Sequence, residues 1–143
     1  MDKTVNTVRA FIERFAELSG GGSPEEVAAL FGETFLAAGA QGASCVKRED
    51  FARMLPQRKE LFARMGWKKT ELVTVEEAML DARFALAKTQ WRFQFEQSGG
   101  GVQEVLIAST FLVDCGGEPW RIVLYLAHQD IFATLRERGM AKS

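Results

Sequence analysis

The hydrophobic period of this chain changes once, at Trp67, and that change constrains the fold more than any other feature. Before it, apolar residues recur at steps of three and four; after it, they alternate. Val5, Val8, Ile12, Phe15 and Leu18 form one face of an amphipathic helix over Thr4–Leu18. Arg9, Glu13 and Glu17 lie off that face, and Gly20-Gly21-Gly22 ends the helix. Ser23-Pro24-Glu25-Glu26 is a helix start: Ser23 can cap, Pro24 sits where a missing N–H costs nothing, and Glu26 completes a capping box. That short helix is predicted to reach about Phe31. Thr34–Ala38 reads as a short strand followed by a turn. Phe51, Met54, Leu55, Leu61, Phe62 and Met65 predict a third helix over Arg48–Met65, kinked at Pro56 and stopped by Gly66.

After Trp67 the alternation predicts strands at Thr70–Ala78, Arg83–Phe95, Gln103–Asp114 and Trp120–His128, then a short helix over Ile131–Arg138 ending at Gly139. Helices followed by an antiparallel meander define an α+β layer arrangement. The expected form is a curved antiparallel sheet wrapped around three N-terminal helices, a cone-shaped α+β barrel. With 143 residues, the chain fits one domain, 1–143. The register within the first long strand stays open, because Leu72, Thr74 and Glu76 alternate with Val73 and Val75 without a clear inner set.

The later registers can be argued from the turns. A tight turn at Gly116-Gly117 would pair Cys115 with Glu118, Val113 with Trp120, Phe111 with Ile122, Ser109 with Leu124, Ile107 with Leu126 and Val105 with His128. A glycine loop placing Phe95 opposite Val105 would pair Phe93 with Ile107, Trp91 with Ser109 and Thr89 with Phe111. Both choices gather one apolar set on one face, and a slip of one residue would mix it with Arg92, Lys88 and Arg121. The polar groups on that face are Thr89, Ser109, His128 and the indoles of Trp91 and Trp120. A few polar groups in an apolar concavity describe a small-molecule site and equally a core with satisfied hydroxyls. The outer face, with Lys88, Gln90, Arg92, Gln94, Thr110, Arg121 and Tyr125 among apolar residues, predicts a homodimer contact.

Composition excludes several function classes. Lys and Arg total 18 against 19 Asp and Glu, so no basic face is expected for nucleic acid. No apolar run approaches the ~20 residues of a membrane span, and no apolar signal core follows Met1, so a cytoplasmic setting is expected. One His and two Cys, Cys45 and Cys115, make neither a metal site nor a disulfide scaffold, and no cofactor is expected. The thiols read as inert small hydrophobes. The triplets Gly20–Gly22 and Gly99–Gly101 lack the Lys-Ser/Thr of a phosphate loop. Lys68-Lys69 and Arg58-Lys59 read as solvated surface.

Three features resemble the nuclear transport factor 2-like superfamily, with its ketosteroid isomerase-like and polyketide-cyclase-like (SnoaL-like) members. They are the order of three helices then a long-stranded meander, the segment Val46-Lys47-Arg48-Glu49-Asp50-Phe51 before the third helix, and Glu118-Pro119-Trp120-Arg121-Ile122-Val123 opening the final strand. The resemblance implies a cystatin-like cone, a pocket between sheet and helices, and a dimer. It also implies, in the enzymes of the group, a pocket carboxylate or His–Asp pair, often with a Tyr or acid donor. This sequence departs from that pattern. Thr34–Ala40 carries no acid, and Asp114 and Tyr125, the sole tyrosine, fall on the expected outer face.

The expected function is therefore the binding of a small apolar or aromatic ligand by Trp91, Phe93, Ser109, Phe111, Thr89, Trp120 and Leu124, in a homodimer. An alternative is a lyase, isomerase or cyclase using His128 as general base with Asp130 nearby, set against a His128 that merely caps a strand end. A third reading is a protein-association domain with a filled core.

Overall fold

The computed structural model of the chain describes residues 7–139. Helix α1, Val8–Gly21, starts at Thr7, whose hydroxyl accepts the Ala10 N–H at 3.0 Å. The predicted start at Thr4, with Val5, lies outside the described residues. The helix continues through Gly20 and Gly21, and the Gly22 N–H closes it on the Leu18 carbonyl at 2.7 Å. Helix α2, Pro24–Ala28, has the expected capping box: Ser23 Oγ accepts from Glu26, and Glu26 Oε1 accepts the Ser23 N–H at 2.9 Å. It stops before Phe31, which instead opens strand β1, Phe31–Gly39. Strand β2, Gly42–Lys47, pairs with β1 as a hairpin, an element absent from the sequence reading. Helix α3, Arg48–Arg64, runs unbroken past Pro56, and Gly66 stops it at φ +91°.

Four long strands follow: β3, Trp67–Met79; β4, Phe84–Glu96; β5, Val102–Asp114; and β6, Arg121–Ala127. Helix α4, Ile131–Glu137, is capped by Asp130. The six strands form one sheet in the order β2-β1-β6-β5-β4-β3. It is mixed rather than wholly antiparallel, because β1 lies alongside β6 in parallel. The fold is thus α+β, with helices packed on one face of this sheet.

Each predicted register needs a correction. Phe95 pairs with Gln103 instead of Val105, because the connection is short: the Gln97 N–H reaches the Gly101 carbonyl at 2.7 Å and Glu96 already pairs with Val102. This slip is even, so every β4 and β5 side chain keeps its expected face. At the next turn Cys115 does not meet Glu118. Its N–H donates to the Arg83 carbonyl at 2.7 Å, while Asp114 Oδ1 accepts the Gly116 N–H at 2.9 Å. The connection widens, and Val113 pairs with Ile122. Val123 is then an extra residue on β6, a bulge, so Leu112 pairs with Leu124 and Phe111 with Tyr125.

This bulge inverts the faces of β6. Tyr125 turns inward onto the core, and Leu124 and Leu126 turn outward. A second bulge, at Val73 on β3, settles the register the sequence left open: it lets both Leu72 and Val75 face the core.

Two apolar clusters fill the space under the sheet. One joins α1, β1 and the inner faces of β4 to β6, with Phe11, Ile12, Phe31, Phe35, Trp91 and Phe111 buried. The other joins Phe62 of α3 to Phe95, Val105 and Ile107 and to Ile131 and Leu135 of α4. Phe93 packs against both.

Candidate functional site

Of the predicted ligand residues, Thr89, Trp91, Phe93, Ser109 and Phe111 lie on the inner face of β4 and β5, and Trp120 packs against the same core from the β5–β6 connection. Leu124 does not join them, since the β6 bulge turns it to the outer face. The inner hydroxyls are spent on one another. The Trp91 Nε1–H donates to Thr89 Oγ1 at 2.7 Å and to Ser109 Oγ at 3.0 Å, while Thr89 Oγ1 donates to the Ser109 carbonyl at 2.8 Å. Thr89 and Ser109 are cross-strand partners, which is why their hydroxyls meet 2.9 Å apart. Buried polar groups need such partners, so this triad is a satisfied knot in an apolar layer. Phe15 of α1 closes the layer, meeting Trp91 and Phe111 edge-on with ring centroids 5.9 and 5.3 Å away.

His128 is likewise not an inner residue. It follows β6 on the exposed side, and its Nε2 lies 2.7 Å from Thr110 Oγ1. Asp130 does not orient it; the carboxylate accepts the Phe132 and Ala133 N–H groups to start α4. A general base needs to reach the substrate's proton, and this imidazole faces away from the interior. Asp114 is held on the outer side by Arg83 at 2.8 and 2.9 Å, and that pairing with the guanidinium lowers its pKa.

The residue the sequence reading misplaced is Tyr125. Its ring packs on Phe111, centroids 5.2 Å apart, and it stands beside Ala37 of β1. Surrounding protein desolvates the phenol and raises its pKa above the ordinary value, an effect that Arg58 opposes. The side chain nevertheless keeps part of its surface accessible. Among the described residues its hydroxyl has no hydrogen-bond partner, although every fully buried side-chain nitrogen or oxygen there has one.

Arg58 belongs to the same region. It keeps step along α3 with Phe51, Leu55, Phe62 and Met65, and its side chain is exposed. Its guanidinium lies over the Phe62 ring at 4.8 Å and the Phe132 ring at 5.6 Å. Phe62 in turn stacks on Phe132 at 5.3 Å and touches Phe93 at 5.8 Å. Arg58 and Lys59 are both exposed, the solvated pair that the sequence predicts. For Tyr125 no signal was legible, because a bulge has no sequence mark here.

The outer face has its own pattern. Cys45, Leu36, Leu124, Leu112, Leu86 and Ala78 are successive cross-strand partners, so one apolar row crosses all six strands. Beside the β3 bulge lies an open depression of about 340 Å³ lined mainly by Thr74, Glu76, Lys88 and Gln90, where Glu76 and Lys88 are themselves cross-strand partners. Among the described residues no three His, Cys, Asp or Glu side chains gather as a metal site, and no helix is long and apolar enough to cross a membrane.

No family profile and no curated protein matches the sequence. Solved structures do. A nuclear transport factor 2-like protein with a cystatin-like fold from Novosphingobium aromaticivorans superposes with a TM-score of 0.70 at 17% identity, covering 95% of this chain and 87% of that one. A protein described as a calcium/calmodulin-dependent protein kinase II association domain, from Xanthomonas campestris, gives a TM-score of 0.67 at 16% identity, covering 90% and 89%. A protein from the same species described as a polyketide cyclase gives 0.59 at 12% identity, covering 90% and 93%. The chain has the nuclear transport factor 2-like, cystatin-like α+β fold. That fold carries enzymes, binding domains and association domains alike, so the chemistry rests on the side chains.

Proposed function

We propose that the chain binds a small apolar or aromatic molecule between the sheet and α3, and acts as a homodimer paired through the outer sheet face. The observation that carries the ligand reading is the Tyr125 phenol: inward, desolvated, in part accessible, and without a protein partner among the described residues. A hydroxyl that reaches solvent without a protein partner is open to a ligand oxygen, which can take the place of water as its acceptor. Phe111 packs on its ring and supplies an apolar wall, the composition typical of a small-molecule site. The Thr89–Ser109–Trp91 knot lies on the same inner face of the sheet. With its phenol protonated at neutral pH, Tyr125 donates to a carbonyl or similar acceptor.

The test is titration of the full chain with acetonaphthone, an aromatic ketone, read by tryptophan fluorescence. Saturable binding that weakens about fivefold in Tyr125→Phe, the loss expected for one neutral hydrogen bond, supports the reading. Absence of saturable binding overturns it.

The outer apolar row supports the pairing of copies, with a second copy of this chain as the occupant. Leu106, 48% exposed, lies on the same face farther along β5, opposite Arg92. Around it Arg92 bridges Glu71 at 3.1 Å and Glu104 at 3.5 Å, and Lys88 faces Glu76 across the strands. A face carrying both signs of charge around an apolar centre is self-complementary under a two-fold axis.

A further inference from the structure

We propose that Arg48 and Arg121 form an anion site at the end of the sheet, where α3, β1 and β6 begin, and that this site takes a phosphoryl group. The inference uses none of the groups on which the ligand reading above depends.

Three observations support it. First, the two guanidiniums converge on one atom. Arg48, the first residue of α3, donates from Nε to the Phe31 carbonyl at 3.1 Å, and Arg121, the first residue of β6, donates from Nη1 to the same oxygen at 3.2 Å. Phe31 stands where β1 leaves its register with β6, which it regains only at Leu36. Second, no carboxylate balances the pair. Arg121 is the cross-strand partner of Asp114, but Asp114 gives its two oxygens to Arg83, at 2.8 and 2.9 Å. Among the described residues neither Arg48 nor Arg121 has an ion-pair partner. Third, both residues are half-buried, and the one carbonyl leaves most of their donors unspent. Both Nη atoms of Arg48, and Nε and Nη2 of Arg121, have no protein acceptor among the described residues.

Two like charges brought onto one neutral acceptor repel, and partial burial weakens the screening by water that would relieve them. An oxyanion of two charges neutralises both. A guanidinium fork matches phosphate oxygens in planar, bidentate pairs, so two arginines suit a group with several oxygens. A phosphoryl group supplies three acceptor oxygens and about two charges near neutral pH, where a carboxylate supplies two oxygens and one charge.

The group could arrive as free phosphate or on a phosphate monoester, so inorganic phosphate and glycerol 3-phosphate are each titrated calorimetrically into the full chain, with sodium chloride holding the ionic strength fixed. The same titrations are run on Arg48→Gln, Arg121→Gln and Arg64→Gln, the last an α3 arginine already paired with Glu60 at 3.6 Å. Thermal denaturation confirms that each variant is folded. Saturable binding to the native chain is expected, weakened about tenfold in Arg48→Gln and in Arg121→Gln and kept within about twofold in Arg64→Gln. Because either glutamine also loses a charged bond to Phe31, Arg48→Lys and Arg121→Lys keep the test open should those variants not fold. Each lysine retains the charge and loses the fork, and is expected to weaken phosphate about threefold. Tighter binding of glycerol 3-phosphate supports a monoester as the occupant, and equal or weaker binding supports the free ion. No saturable binding of either compound to the native chain overturns the site. So does an affinity unchanged in the folded Arg48 and Arg121 variants, or one that Arg64→Gln lowers as much as they do.

Discussion

Tyr125 shows how one side chain can decide the reading of this site. It is the sole tyrosine, so its ionisation can be followed in the intact protein without ambiguity. Burial raises its pKa and Arg58 opposes the rise. The phenolate absorbance of the folded chain should therefore appear only above the ordinary phenol value of about 10, and Arg58→Gln should move the midpoint higher still. The linkage follows from the sign of the shift. The folded state holds this proton more tightly than the unfolded state, so the contribution to stability is full below the unfolded pKa and is lost as pH rises through the folded one. A midpoint at the ordinary value would put the ring in solvent. The inner positions of Thr89, Trp91, Phe93, Ser109 and Phe111 were legible from alternation alone, because an even slip of register leaves faces unchanged. Those of Tyr125, Leu124 and His128 were not. A single bulge at Val123 inverts the faces of β6, and His128 follows that strand on its exposed side.

Among the elements, those with local chemical marks were readable and those fixed by long-range pairing were not. The α2 capping box, the α3 stripe and the Gly66 stop are written in neighbouring residues. Strand β2 is not: Gly42–Lys47 is short, mostly exposed and held by β1 on one side. Gly66 carries more than a helix stop. It sits at φ +91°, its carbonyl accepts the Glu96 N–H at 2.7 Å, and a Cβ there would collide with the Glu96 carbonyl oxygen. It is the point where α3 hands the chain to β3 against the end of β4. Gly66→Ala should destabilise the fold by about 2 kcal/mol or more, seen as a lower denaturation midpoint in urea. Gly99→Ala, in open space with no positive φ, is the control and should stay within about 0.5 kcal/mol of the native chain. Equal effects would remove the argument from backbone geometry.

At the scale of the whole molecule, the two sheet faces have separate tasks. The inner face holds the satisfied Thr89–Ser109–Trp91 knot and, beyond it, the Tyr125 phenol; the outer face carries one apolar row from Cys45 to Ala78. If that row pairs two copies, Leu112→Glu at its centre should yield monomers in sedimentation with little change in the inner core, since Leu112 points away from it. A native chain that sediments as a monomer would contradict the pairing. The most direct test of the central claim, an accessible ligand space under Tyr125, is a crystal structure of the full chain grown with acetonaphthone. The account predicts the ketone oxygen within hydrogen-bond distance of Tyr125 Oη and the naphthalene ring against Phe93. A structure without the ketone, in which protein side chains fill that space and Tyr125 Oη bonds to a protein atom, would contradict it.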